Sequence, residues 1–123
     1  MDAESTEPYG QGGGMGRAEA VARIEALAER YDDDPGITRG TMFRSPGLAV
    51  SGRIFAFAGS GGRIIVKLPR ERGGALVEAG DAEPVTMGTR TMREWFAITP
   101  SVGDASLGEI ADEASGFVSG LDG

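Results

Sequence analysis

Apolar and polar residues alternate most regularly between Met42 and Pro69, in the run MFRSPGLAVSGRIFAFAGSGGRIIVKLP. Ser51-Gly52 and Ser60-Gly61 interrupt this run. Glycine tolerates the positive φ that two-residue hairpin loops need, so each dipeptide is expected to be a hairpin tip. Residues that pair across a tip share a face, as do alternate residues along a strand. Both tips then predict the same partition. Leu48, Val50, Phe55, Phe57, Ile64, Val66 and Leu68 fall on one side, and Ala49, Ile54, Ala56, Ala58, Arg63, Ile65 and Lys67 on the other. The first set is bulky and apolar and is expected to form the core face. The second is small and partly charged and is expected to lie open.

The flanking segments supply the cover. Ala20, Val21, Ile24, Leu27, Ala28 and Tyr31 recur at helical spacing, predicting an amphipathic helix over 17–31 that ends at Asp32-Asp33-Asp34-Pro35-Gly36. Residues 37–44 are expected to enter the sheet as an irregular first strand. Pro69 opens a short second helix and Gly80 ends it, with Gly73-Gly74 an internal cost of roughly 1 kcal/mol per glycine. A short strand is expected around Val85–Met87 and a stronger one over Arg93–Thr99. In the latter, Trp95, Ala97 and Thr99 share a face opposite Phe96 and Ile98. Ser106 with Glu109 reads as a capping box for a last helix, whose stripe is Leu107, Ile110, Ala114, Phe117, Val118 and Leu121. The expected architecture is a two-layer α+β domain in the order α-β-β-β-α-β-β-α, with an antiparallel five-stranded sheet and helices on one face. Residues 1–16, glycine-rich and poor in apolar side chains, are expected to be a disordered tail, and 17–123 a single domain.

Composition narrows the chemistry. The 123 residues contain no cysteine and no histidine. Thiol catalysis, thiolate metal sites and the commonest general base are therefore excluded. No apolar run reaches membrane-spanning length, and the N-terminus lacks the basic-then-apolar pattern of a signal peptide, so a soluble cytoplasmic protein is expected. The net charge is −7, but residues 38–100 hold nine Lys and Arg against five Asp and Glu, a local +4. Gly59-Ser60-Gly61-Gly62 lacks the Lys-Ser/Thr pair and following helix of a phosphate loop and reads as a turn. The three aspartates at 32–34 lack the alternation and distal glutamate of a calcium loop. No catalytic residue, cofactor or metal site is expected.

The candidate partner-binding residues sit on the open face and near it: Ile54, Arg63, Ile65 and Lys67, with Arg90, Arg93 and the single tryptophan, Trp95. Isoleucines exposed among alanines and cations point to contact with a partner.

Met42-Phe43, Pro46-Gly47-Leu48, Gly52-Arg53-Ile54-Phe55-Ala56, Ile65-Val66-Lys67-Leu68 and Met92-Arg93-Glu94-Trp95-Phe96 followed by Pro100 occur in an order and spacing that resembles the TfoX N-terminal domain family, and more loosely the YjbR/MmcQ family. The resemblance spans about residues 17–121. It implies a sheet-and-helix domain like that of secretion chaperones, with an association to competence regulation and DNA. Together these readings lead to a small non-enzymatic domain acting through a protein partner or a homodimer on the open sheet face. Two alternatives are a DNA-binding regulator using Arg53, Arg63, Lys67, Arg90 and Arg93, and an enzyme or binder of a small anionic metabolite.

Overall fold

The computed structural model describes residues 13–87 and 90–121, and the side chains of 16–86 and 94–121. The expected tail is largely outside this range, although the first helix, α1 (Gly13–Arg30), begins four residues before Arg17. Then follow β1 (Ile37–Met42), β2 (Ser45–Val50), β3 (Arg53–Ala58), β4 (Ile64–Lys67), α2 (Arg70–Glu78), β5 (Ala82–Met87), β6 (Arg90–Ile98) and α3 (Asp104–Leu121). The sheet is antiparallel throughout, in the order β1-β2-β3-β4-β6-β5. The fold is α+β as expected, but six strands replace the expected five, because 37–50 is a complete hairpin.

That hairpin turns on Phe43 and Arg44, both in the left-handed region at φ 52° and 66°. Met42 pairs with Ser45 across them. A two-residue loop of this kind follows the right-handed twist of its strands, which is why it forms even without glycine.

All three described α-helices cover one face. α1 and α3 pack on β2, β3 and β4, and α2 packs on β5 and β6. Ile24, Leu48, Phe55, Ile64, Val66, Leu68, Ile98, Leu107 and Val118 are each less than 2% exposed between the layers. Burying each such side chain contributes about 1.5–3 kcal/mol. Pro69 precedes α2 as expected, and Gly80 follows it with φ 86°. Gly73 is at the helix–sheet contact, where a Cβ would overlap the Phe96 ring. α3 begins at Asp104, so Ser106 lies inside the helix and is not its cap. Leu121, expected on the buried stripe, is 45% exposed.

Side chains tie the helices together. Arg30 of α1 donates to both carboxylate oxygens of Asp112 in α3, at 3.1 and 2.6 Å, and the Tyr31 hydroxyl donates to the same carboxylate at 2.8 Å. The Tyr31 ring meets Phe55 edge-on at 5.9 Å. Gly108 leaves room for the Arg30 guanidinium. Arg23 donates to the Val102 carbonyl at 2.6 Å and pairs with Asp104.

The strand register corrects part of the expected partition. At the first tip Val50 pairs with Arg53 and Ala49 with Ile54, as predicted. A bulge at Leu48/Ala49 then sets Leu48 opposite Ala56. At the second tip the loop runs from Gly59 to Arg63 through a 3₁₀ turn at Ser60–Gly62. It is closed by the Gly59 N–H donating to the Arg63 carbonyl at 2.8 Å. Ala58 therefore pairs with Ile64 and Phe57 with Ile65. Together with the bulge, which leaves Phe55 unpaired and in the core, this one-residue slide turns Phe57 onto the open face and places Ala56 and Ala58 in the core. The cause is tertiary. α1 rests on the turn at Gly16, where a Cβ would stand 2.8 Å from Gly61 Cα, and Gly61 and Gly62 take φ of 63° and 77° to allow it.

Candidate binding face

One row of paired residues crosses the uncovered side of the sheet: Gly40, Gly47, Phe57, Ile65, Ala97 and Glu83. Lys67 and Trp95 pair in the next row. The alternation that buries Ile64, Val66, Phe96 and Ile98 under the helices turns Ile65, Lys67, Trp95 and Ala97 outward. Gly47 adds no side chain beside Phe57, and Phe43 from the β1–β2 turn approaches that ring from the hairpin side. The Phe43 and Phe57 centroids are 5.9 Å apart, and Phe57 and Trp95 are 5.4 Å apart, both inclined edge to face. Lys67 Nζ lies 5.4 Å from the Trp95 centroid, within cation–π range. Phe57 is 6% exposed, whereas Phe43 is 60% exposed and Trp95 is half-buried. The buried ring thus supports two rings that meet solvent.

The remaining candidates distribute as follows. Ile65 is half-buried in the central row, and Ile54 is half-buried against Gly40. Arg63 is on this side but is held by Glu83, with Nε donating to Oε1 at 2.8 Å and Nη2 to Oε2 at 3.4 Å. The pair borders a hollow of about 230 Å³ with Ser60, Ile65, Pro84 and Ala97. Arg90 and Arg93 belong to β6, but their side chains lie outside the described residues. Phe43 and Phe57 were missed from the sequence. An apolar residue at a hairpin tip was the available signal for Phe43, hidden because the tip carries no glycine.

Two larger hollows lie on the helical side. One of about 450 Å³ is lined by Glu19, Arg23, Pro100 and Asp104. The other, of about 340 Å³, is lined by Arg72, Asp81, Ser106 and Glu109. Asp34 is used locally, its carboxylate accepting from the Gly36 N–H at 3.0 Å. Among the described residues no group of three or more Asp, Glu, His or Cys is placed to hold a metal ion. No described helix is long and apolar enough to cross a membrane.

Fold and face together define a two-layer α+β domain with one sheet surface that the described residues leave uncovered, lined by aromatic rings and a lysine. No model of a known protein family matches the chain, and no curated protein is found similar to it.

Proposed function

We propose that this chain is a small non-enzymatic binding domain of the TfoX N-terminal type, working in the cytoplasm, that recognises another polypeptide through its open sheet face. The observation that carries this reading is the Phe43–Phe57–Trp95 ring series with Lys67 beside it. Aromatic rings at a solvent-facing surface are the usual anchors of protein interfaces. Catalysis on a small anion has less support. The hollow on this face is smaller than the ~300–1,000 Å³ of most small-molecule sites, and its arginine is already paired with Glu83. Duplex DNA also has less support, since that pairing removes one of the cations it would use.

The test is to replace Ile65 with Asp and, separately, Phe43 with Ser. Mass is measured by light scattering, and retained polypeptides are identified after affinity capture. Both variants should keep the circular dichroism of the parent and lose its partner or its self-association. A parent that is strictly monomeric and retains no polypeptide would refute the reading.

A further inference from the structure

Resting on that reading of the face, we infer the chemistry of its partner: an acidic segment of a different polypeptide, carrying at least one apolar anchor, and not a second copy of this chain. On the helical side Glu19, Glu25, Glu29, Asp104, Glu109, Asp112 and Glu113 are all exposed. On the open side the described charged side chains of the central rows are Arg63, Glu83 and Lys67. The first two neutralise each other, which leaves Lys67, with Arg44 exposed beside Phe43 at the hairpin tip.

A two-fold dimer through this face would bring together two copies of a patch whose unpaired charge is the Lys67 ammonium. The one described carboxylate there, Glu83, is committed to Arg63. Like charges brought together without a counter-charge oppose that contact. Among the described residues the exposed carboxylates of a second copy are mainly those of its helical side, and such a head-to-tail contact does not close into a dimer. A single-stranded nucleic acid would find rings to stack on, but a backbone with a phosphate at every nucleotide needs a groove of cations, and among the described side chains of the central rows Arg63 is already paired with Glu83, leaving Lys67. An acidic polypeptide needs only what the face offers. An apolar side chain seats against Phe43 and the exposed part of Trp95, and a carboxylate meets the Lys67 ammonium, which already lies along the indole.

The test uses the full chain as bait for a random dodecapeptide display library, counter-selected against the bare support. Trp95 is the sole tryptophan, so binding of tryptophan-free peptides from the pool is followed by its emission. Selected peptides should be richer in Asp and Glu than the input pool. Their affinity should fall about tenfold or more in Lys67→Glu, Lys67→Met and Phe43→Ser, and should weaken as salt is raised. The inference is overturned, with the binding face intact, if peptides bind in a Phe43-dependent manner without acidic excess, or bind Lys67→Met as tightly as the parent. Both the inference and the reading beneath it are overturned if no peptide depends on Phe43, or if a twelve-residue oligothymidylate displaces the peptides and binds more tightly than they do.

Discussion

Replacing the hairpin tip Phe43-Arg44 by Asn-Gly should make the protein more stable and, at the same time, unable to bind. Both native residues occupy the left-handed region, at φ 52° and 66°. For an L-residue with a Cβ this conformation costs about 1–2 kcal/mol. Asn-Gly is the preferred pair for such a loop and removes most of that cost. Three losses offset the gain. The Phe43–Phe57 ring contact contributes about 0.5–1.5 kcal/mol. A new glycine raises the entropy of the unfolded chain by the equivalent of about 0.4–1 kcal/mol. Burial lost with Phe43 is small, because the ring is already 60% exposed. The net is a stabilisation of about 1 kcal/mol, or a rise in Tm of about 4 °C for a domain of this size.

Urea denaturation followed by far-UV circular dichroism measures it, with the denaturant slope unchanged as the check that only stability has moved. Trp95 emission should report little change, since its contact with Phe57 remains. A double variant less stable than the parent would refute the reasoning, for the tip would then carry no strain to relieve.

The other predictions concern the helical side and the open row. Gly116→Ala should stabilise α3 by about 1 kcal/mol, because nothing lies within 4 Å of where its Cβ would sit. Gly73→Ala should destabilise by about 1–3 kcal/mol despite the same gain in helix propensity, since the methyl enters the Phe96 ring; equal signs in thermal melts would contradict the α2–β6 packing. Asp112 is held below the usual carboxylate range by Arg30 first and by Tyr31 as a further donor. Its contribution, no more than about 1 kcal/mol for a pair this exposed, is complete above pH ~4 and fades as the pH falls toward the lowered value, so Asp112→Asn should flatten the acid limb of a Tm-against-pH plot. Burial, and then the bond to Asp112, push the Tyr31 hydroxyl up. Stability linked to it is present below pH ~10 and is lost as pH rises beyond that; Tyr31→Phe should abolish that alkaline loss.

How far the sequence reached depended on whether a segment's own residues decide its conformation. Ile64 to Lys67 alternates so strongly that Ile65 and Lys67 had to face away from the core, and Trp95 follows from Phe96 and Ile98 in the same way. The Ser51-Gly52 tip was legible because one glycine next to an alternating run allows one tight loop. Gly59-Ser60-Gly61-Gly62 allows several loop lengths, and the longer one was chosen by contact with Gly16, 45 residues earlier in sequence. No local rule contains that contact, so alternation alone puts Phe57 on the wrong face. The cost of Gly73 could be read, but its reason lies in Phe96 on another element. Ser106 and Glu109 match a capping box by spacing alone, and Asp104 begins the helix two residues earlier.

Departures from the rules of stable packing occur on both sides of the sheet. In the helical layer arginines meet carboxylates at Asp104, Asp112 and Glu113, but Leu121 is 45% exposed and Arg23 Nη1 is buried without a described partner. The open side combines two bulky residues in left-handed backbone, a phenylalanine 60% exposed and a lysine stacked on an indole instead of paired with an acid. Each lowers stability or leaves apolar surface wet, and a sequence free of other demands would lose them one by one. Their convergence on a single ring series, supported from below by Phe57, is what favours the proposed partner surface over a face merely left uncovered. The same reasoning makes the Asn-Gly tip decisive: if the strained turn exists to hold Phe43 over Phe57, removing the strain and removing the binding are one and the same change.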